Sequence, residues 1–306
     1  MLGYFFRFTK RHFIYTTCLI EPQAFPTRVN RGIARNEADR LWASTPQNGG
    51  RIYEKALHLY NLPNRTARKI KIIRNEHGER LDYTFHEGEG DRIVVIGHGV
   101  TGNKDRPALV ALGEGLAAAG ISALRFSFSG NGESEGAFTD STITKEVADL
   151  GKVIDALSEY KVCYVGHSMG GAVGVLRAAI DERIEALVSL AGMVHTKAFA
   201  EREFSDAVPD EGFMWDEPDC PLSQAYIDDM ATIDSVAKRA SKFAVPWLLV
   251  HGTEDDIVPI EDSHDILRFA NEDTELLELP GVDHVFSDDG SPVMVEKVVA
   301  WIDRNL

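Results

Sequence analysis

The chain has 306 residues, of which 44% are hydrophobic and 26% charged. These values are typical of a globular domain and exclude a collagen-like, disordered or multi-span membrane chain. With 32 Lys and Arg against 48 Asp and Glu, the formal net charge is −16, so the chain as a whole would repel a nucleic-acid backbone, and we predict no nucleic-acid partner. Cys18, Cys163 and Cys220 form neither a disulfide framework nor a Cys-x-x-Cys metal motif, which favours a reducing compartment and no metal site.

The N-terminal segment differs in composition from the rest of the chain. Residues 1–65 hold ten Lys or Arg and four Asp or Glu, a net charge of +6, whereas the remaining residues carry −22. The apolar run at residues 13–20 is too short for a secretory signal, and the basic cluster at residues 7–12 excludes a membrane span. We predict that residues 1–60 are a basic extension, either poorly ordered or a targeting peptide. The predicted location is cytoplasmic, with organelle targeting or export through this extension as the alternative.

Residues 61–306 are predicted to form one domain in which short apolar runs alternate with helical patterns. A hairpin with its turn at Asn75–Gly78 comes first, followed by the buried strand DRIVVIGHG and a helix with Pro107 in its first turn. Strand and helix then alternate through ISALRFSF, TITKEVADLGKVIDALSEY, KVCYVG, GAVGVLRAAI and IEALVSLAG. The last elements are the strand VPWLLVHG, a helix near residues 263–270, the strand TELLELPG and a helix over residues 292–304. This order predicts an α/β fold with a mostly parallel sheet and helices on both faces.

Residues 195–240 interrupt the alternation. They carry eleven Asp or Glu and four Lys or Arg, a net charge of −7, and a structureless loop of this length is unusual, so we expect helices within it. The alternatives are a solvated acidic flap and a lid with an apolar underside, and the lid is favoured by its apolar side chains. Those expected to form the walls of a substrate pocket are Phe199, Phe204, Phe213, Met214 and Trp215. The acidic charge predicts a preference for neutral or cationic substrates over anions.

The first of two glycine-rich stretches, Gly97–Gly102, matches the dinucleotide pattern G-x-G-x-x-G. The match is weak, because the loop continues to Pro107 before a helix begins and the next strand offers Arg125 in place of the acid that holds a ribose. We predict no cofactor.

The second stretch, Gly166–Gly170, has the G-x-S-x-G pattern of a nucleophile elbow between a strand and a helix. A serine on so tight a turn needs neighbours without side chains, and Gly166 and Gly170 meet that need. The pattern therefore predicts that Ser168 is a nucleophile.

A serine nucleophile requires a histidine base and an acid that orients it, in the chain order serine, acid, histidine. Carboxylates at residues 254–256 follow the strand WLLV, and His284 follows the final strand. Each lies just past a strand, so a parallel sheet would bring them to one edge. Other reactive side chains are predicted to be structural: Cys163, His98, His167, His251 and His264.

Together these segments resemble the α/β-hydrolase superfamily and are most similar to serine hydrolases of the cinnamoyl/feruloyl esterase and serine-aminopeptidase-like group. The matching pieces are HGVTGNKDRP, RFSFSGNGESEG, YVGHSMGG, HGTEDDIVP and GVDHVF; residues 1–60 and 195–240 match nothing in the family. The resemblance implies Ser168 as nucleophile, Asp255 as acid and His284 as base. It also implies an oxyanion hole made by the backbone N–H groups of Val100 and Met169. Relatives often carry an acid where this chain has Ser127, a position outside the triad.

The expected function is a cofactor-free serine hydrolase that cleaves carboxylic esters through an acyl-enzyme. Its predicted partner is a small-molecule ester, neutral or cationic, with a short or aromatic acyl group. The alternatives are a thioesterase or a serine aminopeptidase on the same machinery, then a non-catalytic binding module, then a dinucleotide-dependent reductase. The sequence indicates no oligomeric state.

Overall fold

The computed structural model describes residues 70–306, and the predicted extension over residues 1–60 lies outside this range. The predicted hairpin is present but short, because β1 (Ile73–Arg74) and β2 (Arg80–Leu81) pair over two residues only. Its turn is as expected: Gly78 has a φ of 80°, and its amide donates to the carbonyl oxygen of Asn75 at 3.0 Å. The later residues of LDYTF are not part of the hairpin. They belong to β3 (Tyr83–His86), which pairs with a strand of the main sheet.

The main sheet has seven strands in the order β3-β5-β4-β6-β7-β8-β9, and within it β3 runs antiparallel to β5 while the other neighbours are parallel. Its strands are β3 (Tyr83–His86), β4 (Arg92–Gly97), β5 (Ser122–Phe126), β6 (Lys161–His167), β7 (Ile184–Leu190), β8 (Trp247–Gly252) and β9 (Thr274–Leu279). The helices are α1 (Pro107–Ala118), α2 (Ile143–Asp155), α3 (Met169–Ala178), α4 (Thr196–Glu203), α5 (Gln224–Ile233), α6 (Ile260–Leu267) and α7 (Gly290–Asn305).

Helices cover both faces of the sheet, so its central strands are apolar on both sides. In β4, Ile93 and Val95 face a core that includes residues of α2, α3 and α6, while Val94 and Ile96 face a second core under α1 and α7. The predicted mostly parallel sheet with helices on both faces is confirmed.

The last two helices begin earlier than predicted. Helix α6 starts at Ile260, directly after Pro259, and has Glu261 and Asp262 in its first turn, where negative charge is favourable. Helix α7 starts at Gly290 rather than at residue 292. None of the helices in residues 70–306 combines the length and hydropathy that a membrane span requires.

The segment between β7 and β8 contains the helices expected there, α4 and α5, with short 3-10 turns at Met214–Asp216 and Ala237–Lys242. The hydroxyl of Thr196 in α4 donates to the carbonyl oxygen of Met230 in α5 at 2.8 Å. The amide of Val194 donates to Asp262 of α6 at 2.7 Å. The inserted helices are therefore joined to each other and to the body of the domain.

Candidate active site

Ser168 lies between the end of β6 and the first residue of α3, with a φ of 56° and a ψ of −121°. A positive φ is strained for a residue with a side chain and persists only where its surroundings enforce it. Here the two flanking glycines make the turn fit. A Cβ at Gly166 would lie 2.1 Å from the carbonyl oxygen of Gly170, and one at Gly170 would lie 2.7 Å from the carbonyl oxygen of His98. The elbow geometry predicted for residues 166–170 is thus present.

The loop after β4 packs against this elbow. A Cβ at Gly99 would lie 2.7 Å from Cβ of Ser168, so a side chain there would displace the serine. His98 fixes the loop: Nδ1 donates to the carbonyl oxygen of Gly99 at 2.8 Å, and Nε2 accepts from the amide of Phe128 at 3.0 Å. Complete burial lowers the pKa of His98 to about 4, so the ring is neutral at neutral pH. This matches its predicted role as a loop brace.

Arg125, which the dinucleotide pattern would place near a ribose, is buried and braces the same loop. Its guanidinium donates to the carbonyl oxygen of Lys104 and to the carboxylate of Asp105, the latter at 3.1 Å, while its Nε donates to His86 at 3.0 Å. These bonds place the guanidinium beside the chain that leads into α1.

The loops after β8 and β9 pack against each other and bring the predicted acid and base together. The amide of Glu254 donates to the carbonyl oxygen of Val282 at 3.1 Å, and a Cβ at Gly252 would lie 2.1 Å from that oxygen. Across these loops, Nδ1 of His284 donates to Oδ2 of Asp255 at 2.8 Å. Nδ1 is therefore the protonated nitrogen of His284, which leaves Nε2 as the free acceptor.

Asp255 is held as an anion. Its Oδ1 accepts from the amides of Ile257 and Val258 at 3.0 and 2.8 Å, and Nε2 of His251 lies 3.2 Å from its Oδ2. Burial acts to raise the pKa of Asp255, but the hydrogen bonds from His251 and His284 outweigh it and hold the pKa well below its usual range. Asp256, the neighbouring carboxylate, is exposed.

His284, the predicted base, lies beside the elbow. Nε2 of His167, the residue before Ser168, donates to the carbonyl oxygen of His284 at 2.9 Å, and the two rings lie 4.9 Å apart. Burial, helped by the neighbouring His284, lowers the pKa of His167 to about 3, so this ring is a neutral donor. Within residues 70–306 the structure contains no hydrogen bond from Oγ of Ser168 to His284; in resting hydrolases this bond is often long and shortens with substrate bound.

A cleft opens at the elbow, between the loop after β4, helix α2 and the segment inserted between β7 and β8 (residues 195–240, called the insertion below). Val100 and Met169, the residues predicted to form the oxyanion hole, both line it. Because Met169 is the first residue of α3, its N–H has no acceptor one turn back within the helix. The positive end of the helix dipole also favours negative charge at this point.

The insertion contributes to the cleft through residues other than those expected. Met214 lines it as predicted, together with Ser223 and Tyr226. The other aromatic side chains do not: Phe199, Phe204 and Trp215 pack edge to face or tilted against one another with centroids 5.1–6.4 Å apart, and Phe213 is 41% exposed. The expectation that all five line the cleft is therefore wrong for four of them: three rings form a small core of their own, and Phe213 is exposed.

Two titratable side chains at the site were not predicted to act there. His251 contacts the acid, although the sequence suggested only a loop brace. Glu146 of α2 is 1% exposed and lines the cleft. The sequence did indicate a buried carboxylate at this position. Glu146 shares one helical face with Ile143, Leu150 and Val153, so it interrupts an apolar stripe. Cys163 is buried inside β6 and His264 pairs with Glu278 at the surface, as predicted.

A parallel sheet with a serine elbow after β6 and an acid–histidine pair after its last two strands is the arrangement of α/β-hydrolases. The family model described as serine aminopeptidase S33 matches residues 88–209. The bovine mitochondrial palmitoyl-protein thioesterase ABHD10 is 28% identical over 67% of this chain and 70% of its own length. Est1E from Butyrivibrio proteoclasticus, solved with ferulic acid bound, is 26% identical with a TM-score of 0.69, over 77% of this chain and 98% of its own. Mouse ABHD10 shares the fold at 18% identity and a TM-score of 0.62, over 77% of this chain and 99% of its own.

The chain has the α/β-hydrolase fold, and its similarity to these proteins supports a hydrolase activity.

Proposed function

We propose that the protein is a serine esterase that cleaves carboxylic esters in two steps through an acyl-enzyme. Ser168 attacks the ester carbonyl while Nε2 of His284 takes its proton, and Asp255 holds the imidazole in the required tautomer. The N–H groups of Val100 and Met169 stabilise the oxyanion. His284 then protonates the departing alcohol, and water releases the acid by the same route. The hydrogen bond of 2.8 Å between His284 and Asp255, next to the elbow that carries Ser168, is the observation that supports this most.

The test is labelling with a fluorophosphonate probe together with turnover of nitrophenyl esters. The probe should modify Ser168 in the native chain, and Ser168→Ala should lose both labelling and hydrolysis, the latter by about 10⁴–10⁶-fold. The exposed Ser158→Ala serves as a matched control and should keep both. Labelling that persists in Ser168→Ala would overturn the assignment.

A thioesterase is the second candidate, since the bovine relative is named a palmitoyl-protein thioesterase. A serine aminopeptidase is the third, from the description of the family model. An ester, a thioester and an anilide of one short acyl group separate all three: we expect the highest kcat/KM for the ester.

The location stays a prediction. The relative's name includes the word mitochondrial, and together with the net charge of +6 on residues 1–65 it supports the organelle alternative over the cytoplasm. Imaging of the full chain with a C-terminal fluorescent tag distinguishes the two.

A further inference from the structure

A buried carboxyl group forms part of the inner wall of the cleft. Glu146 lies in the first turn of α2 and is 1% exposed, and its Oε2 has no hydrogen-bond partner. Leaving a buried polar atom unpaired is costly, and native proteins rarely do so without a functional reason. The catalytic steps proposed above do not use this side chain.

Three other polar side chains that line the cleft have partners. The hydroxyl of Ser141 donates to the carbonyl oxygen of Ser129 at 2.9 Å, and the hydroxyl of Ser223 accepts from the amide of Tyr226 at 3.2 Å. The phenol of Tyr226 lies 3.1 Å from the sulfur of Met169. Among the described residues that line the cleft, Glu146 thus has the buried side-chain oxygen that is left for a ligand.

The environment of this carboxyl group favours its neutral form. Burial is the main cause that raises the pKa of Glu146 well above its usual value, and the nearby carboxylates of Asp149 and Asp229 add to it, against a small opposing effect of Lys145. A protonated carboxyl group both donates and accepts a hydrogen bond. Its best partner is an uncharged group, either a hydroxyl, which can donate and accept, or a ketone oxygen, which accepts from the carboxyl O–H.

The position of the cleft indicates which half of an ester it would hold. The departing alcohol must take its proton from His284, so it leaves on the side of that histidine. The cleft is lined by Val100, Met169 and Glu146, whereas His284 is not part of its wall. With the ester carbonyl at the N–H groups of Val100 and Met169, as the proposed mechanism requires, the acyl group would extend into the cleft toward Glu146.

We propose that Glu146 is a specificity-determining residue that hydrogen-bonds an uncharged hydroxyl or carbonyl group on a short acyl chain, so that the substrates are esters of hydroxy or oxo acids. This inference rests on the proposed esterase function. An unsubstituted acyl chain would cover the carboxyl group and leave it unpaired, which disfavours that substrate relative to one with a polar end.

The experiment compares three nitrophenyl esters of equal size, 3-hydroxybutanoyl, 3-methylbutanoyl and 3-aminobutanoyl, on the full-length chain. The native protein should hydrolyse the hydroxy ester with a kcat/KM about tenfold or more above that of the methyl ester. Glu146→Leu should abolish or reverse this ratio, chiefly by lowering kcat/KM for the hydroxy ester. Glu146→Gln, a neutral side chain of the same shape, should stay within about threefold of the native ratio. The exposed Glu159→Leu is the matched surface control and should change nothing.

A second measurement separates loss of specificity from loss of folding. Because Glu146→Leu removes an unpaired buried polar atom, its melting temperature should equal or exceed that of the native chain, and fluorophosphonate labelling of Ser168 should persist. An unchanged hydroxy-to-methyl ratio in Glu146→Leu overturns the inference and leaves the esterase intact. A preference for the amino ester that Glu146→Gln loses also overturns it, since the carboxyl would then act as an anion. Absence of both labelling and ester turnover in the native chain overturns the proposed function, and the inference falls with it.

Discussion

Nε2 of His251 lies 3.2 Å from Oδ2 of Asp255, the same oxygen that accepts the hydrogen bond from Nδ1 of His284. Nε2 of His251 also faces the carbonyl oxygen of Val258 at 2.9 Å, so two acceptors require that this nitrogen carry the proton. Nδ1 then accepts from the hydroxyl of Ser263 at 2.7 Å. His251 therefore donates to the carboxylate of Asp255 and helps to orient it toward His284.

We expect His251→Ala to lower kcat by about ten- to hundredfold with little change in KM, as loss of an orienting partner does in other sites. His251→Gln should recover most of the activity, because its amide N–H can replace Nε2–H. His264→Ala at the surface is the control. Equal losses in His251→Gln and His251→Ala would mean that the ring acts by packing alone.

Replacement of the neighbouring carboxylates Asp255 and Asp256 should have sharply different effects on kcat. Asp255→Asn removes the anion that orients His284 and should lower kcat by about two orders of magnitude or more. Asp256→Asn changes an exposed side chain and should stay within about twofold of the native rate. Steady-state kinetics on one ester suffice for this test. A larger loss of kcat in Asp256→Asn than in Asp255→Asn would assign the role of the acid to Asp256.

Gly252 allows the loops that carry Asp255 and His284 to touch. A Cβ there would lie 2.1 Å from the carbonyl oxygen of Val282, so Gly252→Ala must push these loops apart. We expect a lower kcat and a free energy of unfolding reduced by about 1–3 kcal/mol. At Gly281, with a φ of 73° and open space around it, alanine adds backbone strain of about 1–2 kcal/mol, and kcat should change less. A native kcat in Gly252→Ala would show that the loops can separate without cost.

Buried histidines should make stability depend on pH. The pKa of His167 falls from 6.5 to about 3 on folding, so between these values the unfolded chain binds the extra proton, and the free energy of unfolding falls as the pH falls. The slope is about 1.4 kcal/mol per pH unit for this histidine. Glu146 opposes it, because a raised carboxyl pKa stabilises the fold on acidification. Urea unfolding between pH 7 and pH 5 should therefore show that the free energy of unfolding falls less steeply in His167→Gln than in the native chain, and more steeply in Glu146→Gln. Equal slopes in all three proteins would contradict both assignments.

The acidic insertion should discriminate against anionic substrates. Residues 195–240 carry a net charge of −7, and their helix α5 contributes Tyr226 to the cleft. For a matched pair of neutral and carboxylate-bearing esters, kcat/KM should favour the neutral ester at low salt, and the gap should narrow as salt screens exposed charges beyond about 8–10 Å. A preference for the anion at low salt would show that these acids face away from the entrance.

Much of the architecture followed from sequence patterns with a local cause. Continuous apolar runs such as that of β4 are apolar because both faces are covered, and the G-x-S-x-G turn can hold Ser168 at a φ of 56° only if both glycines are present. The first residues of helices were predicted less accurately. Helix α6 begins three residues earlier than predicted, because Pro259 and the acids after it define its first turn. The resemblance of five segments to a hydrolase family added the assignment of Asp255 over its neighbours.

The sequence by itself determined the order of strands and helices and the positions of serine, carboxylates and histidine past the strand ends, since periodicity and tight turns are local properties of the chain. Only the tertiary structure decided that His251 contacts Asp255, that three of the aromatic side chains of the insertion pack on one another, and that Glu146 faces the cleft without a partner. These three relationships join residues on different elements, or depend on which side of a helix is covered. Burial and pairing between distant segments are fixed by packing, and no short stretch of sequence records them.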